Sequence, residues 1–173
     1  MTGGISVELG ENGVLAPGIH TSTFEDVCET FIKGFPESKT RDKIYKEFLG
    51  FINDIFNRYK VYEVWIDGSF STAKVNPNDI DLVLFLYVES FINIQSEWAT
   101  LRKQANLDPY IAVAVCPDTQ SKVDSRVYMD VINKRNYWRG QFGYDRNDVP
   151  KGIISIKEEE LENLIKGGDL QCL

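Results

Sequence analysis

Hydrophobic positions between residues 38 and 59 recur at steps of three and four, the period of an amphipathic helix. They are Ile44, Phe48, Phe51, Ile52, Ile55, Phe56 and Tyr59. A shorter helix is predicted before this one, because Ser22 and Glu25 have the spacing of a capping box and Gly34 follows as a stop signal. The chain is therefore expected to place two helices ahead of its first buried strand.

Three apolar stretches have the length and the β-branched or aromatic composition of buried strands. They are Val61–Ile66, about Asp79–Val88, and Tyr110–Cys116. The segment Glu89–Asn106 lies between the second and third stretches and is predicted to be helical. This order indicates an α/β or α+β fold, a small mixed sheet flanked by helices in a single domain.

The two ends of the chain and the region 121–142 are less regular. Residues 1–20 contain Ala16-Pro17-Gly18 and are predicted to form an extended N-terminal arm, with residues 21–173 as one domain. Residues 121–142 fit either a strand around Arg126–Ile132 or one long helix. Ser155 and Glu158 have capping-box spacing and predict a final helix that stops at Gly167-Gly168.

Composition narrows the kinds of chemistry that the chain can perform. The 173 residues are 43% hydrophobic and 26% charged, as in ordinary globular domains, and no apolar run is long enough for a membrane span. The N-terminus has no basic segment leading into an apolar one, so a cytoplasmic protein without membrane contact is expected. With one histidine and no Cys-x-x-Cys pair, a zinc site or a histidine-based triad has almost no residues to be built from.

Charge is distributed unevenly along the chain. The formal net charge is −7, which argues against wide nucleic-acid binding. Residues 121–152 nevertheless hold seven Lys or Arg against four Asp, a local +3. Within this stretch Arg139, Arg146 and Lys151 either contact phosphates or an acceptor, or belong to a solvated or interface surface.

Two carboxylates in one strand are the strongest candidates for chemistry. Asp79 and Asp81 are two residues apart, so on a strand both project to one face. Their repulsion is relieved by a hard cation, and Mg²⁺ typically takes one or two carboxylates together with substrate phosphates. Gly68-Ser69 ends the preceding strand, where glycine lets a phosphate approach the backbone and the serine can donate to it. This pairing predicts phosphoryl transfer.

Gly68-Ser69 followed by Asp79-x-Asp81 resembles the signature of the DNA polymerase β-type nucleotidyltransferase superfamily, in particular its minimal bacterial members. Residues 67–82 as a whole are similar to a small uncharacterised bacterial and phage-associated nucleotidyltransferase-like family. Leu15-Ala-Pro17-Gly18 and the stretch from Tyr137-Trp138 to Ile153 extend the likeness to about residues 13–156.

The resemblance implies a minimal nucleotidyltransferase fold and Mg²⁺-dependent transfer of a nucleoside monophosphate from an NTP, with Mn²⁺ as the alternative ion. Asp79 and Asp81 would bind the metal, and Gly68 and Ser69 the triphosphate. Lys74, Arg139 and Lys151 are candidates for further contacts to the nucleotide. The acceptor would be a hydroxyl of an RNA end, a protein or a small molecule.

The superfamily also uses a third carboxylate, on a later strand, to activate the acceptor hydroxyl. Asp108 precedes the third predicted strand and is the preferred candidate; Asp130 is the alternative, if residues 126–132 form a strand. Should neither serve, the protein would be a catalytically inactive nucleotidyltransferase-fold binding module, for example an antitoxin-like or defence-associated regulator with a protein partner.

Overall fold

The computed structural model describes residues 7–166. Its helices are α1 Phe24–Cys28, α2 Arg41–Arg58, α3 Val88–Leu101, α4 Pro117–Lys122, α5 Ser125–Phe142 and α6 Glu158–Ile165. Its strands are β1 Gly18–Thr21, β2 Val61–Asp67, β3 Ile80–Leu86, β4 Leu107–Val113 and β5 Gly152–Lys157. A π-helical turn, Glu29–Lys33, follows α1, and a 3₁₀ turn, Gly68–Ser71, follows β2.

The five strands form one mixed sheet in the order β1-β5-β2-β3-β4. β2 is antiparallel to both β3 and β5, whereas β1 pairs with β5 and β4 pairs with β3 in parallel. This arrangement confirms the predicted mixed α/β single domain.

Helices cover both faces of the sheet. On one face Val64, Ile66, Leu82 and Leu84 pack against α1, α2, α3 and α6 in the larger core. On the other face Trp65, Val83 and Phe85 pack against Trp138 and Phe142 of α5. Because side chains alternate along a strand, the even-numbered residues of β3, and those of β2 after the bulge between Val61 and Glu63, build the first core. The odd-numbered residues, which include Asp67 and Asp81, lie on the side of α5.

Several predicted boundaries are corrected by the fold. The first helix is capped one residue later than predicted, by Thr23 with Asp26, while Ser22 is buried. Residues 125–142 form one helix, α5, and not a strand. Ser155 does not cap a helix: it lies inside β5, and α6 begins at Glu158. The predicted stop at Gly167-Gly168 lies outside the described residues.

The N-terminal segment packs against the sheet. Val7 and Leu15 are buried in the larger core, and Gly18–Thr21 adds β1 beside β5. Gly10 and Gly13 shape a turn ahead of Leu15, and the amide of Ala73 donates to the carbonyl of Gly13 at 2.8 Å. The segment thus reaches the loop that follows β2.

Candidate functional site

Three aspartates lie side by side on neighbouring strands, at one end of β2, β3 and β4. Asp67, the last residue of β2, pairs with Asp81 of β3, and Asp81 pairs with Asp108 of β4. Side chains of directly paired residues project to the same face of a sheet, so the three carboxylates form one row. We call Asp67, Asp81 and Asp108 the aspartate row. Like charges in such positions are destabilising unless cations or protons compensate them.

Gly68 allows the aspartate row to meet the turn that follows β2. Its φ is +77°, a left-handed conformation that L side chains rarely adopt, and a Cβ there would lie 1.8 Å from Oδ2 of Asp81. Only glycine therefore fits between the turn and the carboxylate. Ser69 follows directly, and its carbonyl accepts from the amide and hydroxyl of Thr72.

Asp67 is already paired. Nζ of Lys151 donates to its Oδ1 at 2.6 Å, and both side chains are buried, with 8% of the lysine and 6% of the aspartate exposed. Burial raises the pKa of Asp67 to about 6, and the charge and hydrogen bond of Lys151 offset this only in part. The pair leaves Asp81 as the more accessible carboxylate at this end of β2 and β3.

Asp81 is partly buried and lies near two other carboxylates. Burial raises its pKa first, and the charges of Asp79 and Asp108 raise it further, while Lys151 and Arg146 act in the opposite direction. Asp79 stands just before β3 and is exposed. This is the electrostatic situation in which a bound cation stabilises the ionised carboxylates.

Asp108 is held by a neighbouring tyrosine. The hydroxyl of Tyr110 donates to its Oδ2 at 2.6 Å, and Nη2 of Arg102 lies 3.9 Å from its Oδ1. The hydrogen bond to Asp108, followed by burial, raises the pKa of Tyr110 to about 12. The hydroxyl of Tyr110 therefore keeps its proton at neutral pH.

A cavity of about 860 Å³ opens above the aspartate row. Its floor includes Asp67, Gly68 and Asp81, and residues 12–14 and 72–74 form one wall. The opposite wall comes from α5, through Tyr137, Trp138, Gln141 and Phe142, and from Tyr144, Asp145 and Arg146 in the loop that follows it. The volume suits a small molecule of nucleotide size.

The wall at residues 72–74 is held from behind by Arg41 of α2. The guanidinium is buried and donates to the carbonyls of Phe70, Thr72 and Lys74, at 2.7–2.8 Å, and to that of Phe31 at 3.2 Å. Burial lowers the pKa of Arg41 to about 10. Arg41 thus fixes the backbone between the glycine–serine turn and β3.

The wall formed by α5 is anchored on a buried carboxylate, Glu63 of β2. It accepts hydrogen bonds at 2.6–2.7 Å from Trp65, Ser155, Lys157 and Arg135, the last of which belongs to α5. Burial alone would raise the pKa of Glu63, but the hydrogen bonds and the charge of Arg135 lower it to about 2. Arg135 also lies over the ring of Trp65, 4.4 Å from its centroid.

The loop between α5 and β5 is ordered by its own hydrogen bonds. Oδ1 of Asp145 accepts from the amides of Asn147 and Val149, and Lys151 donates its amide to the carbonyl of Gly143. Lys151 then reaches Asp67 with its side chain. The loop therefore presents Tyr144 and Arg146 to the cavity from a fixed base.

Most of the site residues expected from the sequence line this cavity, namely Gly68, Ser69, Lys74, Asp79, Asp81 and Lys151. Asp108 stands in the aspartate row but is not among the residues that line the cavity, whereas its partner Tyr110 is. Arg139 lies elsewhere, in a second cavity of about 640 Å³ near Gly18 and Gly140.

Asp130 does not fit the role of third carboxylate. That prediction required a strand, but residue 130 lies within α5 and its side chain is exposed. Val131, Trp138 and Phe142 of this helix are buried, so its buried stripe follows a helical period that turns Asp130 outward.

Sequence reasoning missed Asp67, Tyr110 and Glu63 as members or supports of the site. Asp67 stands directly before Gly68, and its position at a strand end was a usable signal. Its pairing with Lys151, 84 residues away, and the strand register that brings it beside Asp81 have no local signal in the sequence.

The donor set fits Mg²⁺ as an ion shared with a substrate. Within residues 7–166 no group of three or more His, Cys, Asp or Glu side chains is arranged to hold a metal unaided. Asp79 and Asp81 nevertheless offer carboxylate oxygens, and Mg²⁺ commonly completes its shell with phosphate oxygens and water. The position of Asp81 beside Asp108 in the sheet, with the charge of Asp79 also acting on it, is the observation that favours a cation there.

Fold and site define a mixed α/β domain with an acidic cavity above one face of its sheet. Comparison with models of known families shows that the chain belongs to the Family of unknown function (DUF6932), whose model matches residues 7–157. No curated protein and no solved structure matches the chain. None of the helices in residues 7–166 is long and apolar enough to cross a membrane.

Proposed function

We propose that the protein is a Mg²⁺-dependent nucleotidyltransferase that moves a nucleoside monophosphate from an NTP to a hydroxyl acceptor. The observation that carries the proposal is the aspartate row beside the Gly68-Ser69 turn, of which Asp67 and Asp81 line a cavity of nucleotide size. The resemblance of residues 67–82 to the nucleotidyltransferase signature supports the same assignment.

The residues divide into three roles. Asp79 and Asp81 hold Mg²⁺, which when bound neutralises phosphate oxygens as charge develops on them. Ser69 and the backbone of Gly68 receive the triphosphate, and Lys74 and Arg146 contribute positive charge from the walls. Lys151 pairs with Asp67, so its role is to neutralise that carboxylate beside the site.

Asp108 accepts the proton of the acceptor hydroxyl in this proposal. It stands beside Asp81 in the row and is 43% exposed, so it remains accessible to an acceptor. The guanidinium of Arg102 lies 3.9 Å from its Oδ1, so a positive charge stands beside this carboxylate.

A binding module that does not catalyse transfer is the second candidate function. Two observations favour it: Asp67 is neutralised by Lys151, and Oδ2 of Asp108 is occupied by the Tyr110 hydroxyl. Such a protein would bind Mg²⁺ and NTP and would act on a partner through that binding.

The test is incubation of the protein with each radiolabelled NTP, Mg²⁺ and a cell lysate. We expect label to be transferred, and Asp79→Asn with Asp81→Asn to abolish the transfer. Asp130→Asn is the matched control, because this exposed carboxylate on α5 lies outside the cavity, and it should retain full activity.

Two results would contradict the proposal. Transfer that persists in the Asp79/Asp81 variant would remove the metal site from the mechanism. Mg²⁺-dependent NTP binding in a calorimeter, without transfer to any acceptor, would instead establish the binding module.

A further inference from the structure

The hydroxyl of Tyr110 occupies the place that an acceptor hydroxyl would take. It donates to Oδ2 of Asp108 at 2.6 Å, which is the contact that a general base makes with the group it deprotonates. Tyr110 also lines the cavity together with Asp81, and the charge of Asp81 acts on the phenol. The hydroxyl thus contacts the base, in the same cavity as the carboxylate that would hold the metal.

We propose that Tyr110 is itself an acceptor, so that the protein transfers a nucleoside monophosphate to its own tyrosine. This inference rests on the proposed function and adds a covalent modification site to it. The ligand class is an NTP, and the product is a phosphodiester between the phenol oxygen and the α-phosphate.

Tyr110 is distinguished from the other tyrosines of the cavity by its partner. Tyr137 and Tyr144 also line the cavity, but each is 50% exposed. Of these three, Tyr110 is the one whose hydroxyl donates to a carboxylate within the described part of the chain. Other tyrosine–carboxylate pairs, such as Tyr87 with Glu158, lie outside this cavity.

The ring of Tyr110 is fixed in this position. It packs against the indole of Trp138 with 4.6 Å between ring centroids, and the guanidinium of Arg102 lies 5.7 Å from its centroid. A fixed nucleophile loses less orientational freedom on reaction than a mobile side chain does.

The transfer step balances in atoms and charge. The phenol oxygen attacks the α-phosphorus of the NTP, an oxygen–phosphorus bond forms, and the bond from the α-phosphorus to the bridging oxygen breaks. Pyrophosphate leaves, and the phenol proton passes to Asp108. The high pKa of Tyr110 means that this proton is present at neutral pH and that a base must receive it.

Modification of Tyr110 would also limit the reaction. The attached nucleotide would remain in the cavity above Asp81, where the next NTP has to bind. We therefore expect one nucleotide per chain and progressive loss of transfer to other acceptors as the modification accumulates.

The experiment is mass spectrometry of the purified full chain after incubation with each NTP and Mg²⁺. Intact mass gives the number of nucleotides attached, and fragmentation of peptides identifies the modified residue. We expect one nucleoside monophosphate on Tyr110, its absence from Tyr110→Phe, and its full presence in Tyr128→Phe, a tyrosine of α5 outside the cavity.

A second variant separates chemistry from folding. Asp108→Asn retains the phenol and removes the base, so self-modification should slow by about 100-fold or more. Circular dichroism and urea unfolding of Tyr110→Phe and Asp108→Asn establish that both variants fold.

The outcomes distinguish this inference from the proposed function. Transfer to lysate acceptors without self-modification, or modification at Tyr137, Tyr144 or another residue, would overturn the role of Tyr110 and leave the nucleotidyltransferase intact. Persistence of the modification in Tyr110→Phe would overturn it equally. No transfer to any acceptor would overturn both.

Discussion

Replacement of Gly68 by alanine tests the contact between the glycine–serine turn and the aspartate row. Gly68 has φ +77°, and alanine pays about 1–2 kcal/mol to adopt a left-handed conformation. The new Cβ would stand 1.8 Å from Oδ2 and 2.9 Å from Cγ of Asp81, so this carboxylate has to move by roughly 1–2 Å. Displacing a partly buried polar group adds about 1–3 kcal/mol.

We therefore expect Gly68→Ala to lower the free energy of unfolding by about 2–5 kcal/mol and to abolish nucleotide transfer. Urea unfolding followed by circular dichroism measures the first effect, and the labelled-NTP assay measures the second. The two effects should occur together, because one displaced side chain causes both.

Gly50→Ala is the matched control. Gly50 lies within α2, and a Cβ there meets nothing within 4 Å. Alanine in a helix interior should stabilise the protein by about 0.5–1 kcal/mol and leave transfer unchanged. A Gly68→Ala protein as stable and as active as the wild type would refute the reasoning about the turn.

Two further predictions concern the supports of the cavity walls. Glu63→Gln should lower the free energy of unfolding, measured with urea, by about 3–5 kcal/mol, because Arg135 and Lys157 lose their buried partner. The control is Glu29→Gln on the surface, which should lower it by less than about 1 kcal/mol. The low pKa of Glu63 stabilises the wild type above pH about 4.5, and about 3 kcal/mol of the free energy of unfolding should be lost as the pH falls toward 2. Glu63→Gln should not show this loss. Equal acid sensitivity of both proteins would contradict the prediction. Arg41→Lys should lower the free energy of unfolding by about 2–4 kcal/mol. The reason is that an ammonium group cannot reproduce the planar arrangement of donors toward the carbonyls of Phe70, Thr72 and Lys74. The control is Arg58→Lys at an exposed arginine, which should lower it by about 1 kcal/mol or less in the same assay.

The elements with strong local patterns were predictable from the sequence. The stripe of α2 and the apolar runs of β2, β3 and β4 gave the type and order of these elements, with ends displaced by a few residues. Gly68, Ser69, Asp79 and Asp81 meet at one cavity because short-range spacing and strand alternation already decide where they lie.

Elements that depend on distant partners were not predictable in the same way. Ser155 and Glu158 satisfy the local rule for a helix cap, yet the hydroxyl of Ser155 donates to Glu63, 92 residues away, inside β5. β1 forms because it pairs with β5, and the pattern of residues 18–21 alone does not predict a strand. Tertiary pairing overrides the local signal in both places.

The two candidates for a third carboxylate also show which positions depend on tertiary packing. Asp108 was the preferred candidate because it stands at the start of the third predicted strand, and Asp130 remained an alternative because residues 126–132 fit either a strand or a helix. The buried positions of Val131, Trp138 and Phe142 require a helix packed on the sheet, and this packing turns Asp130 to solvent. The parallel register of β3 and β4 places Asp108 beside Asp81.

The most direct test of the central claim is a crystal structure of the protein with Mg²⁺ and a non-hydrolysable NTP. The account predicts the triphosphate over Gly68 and Ser69, and a metal ion that joins its oxygens to Asp79 and Asp81. A nucleotide bound in another cavity, or one bound here with no metal at these two carboxylates, would contradict it.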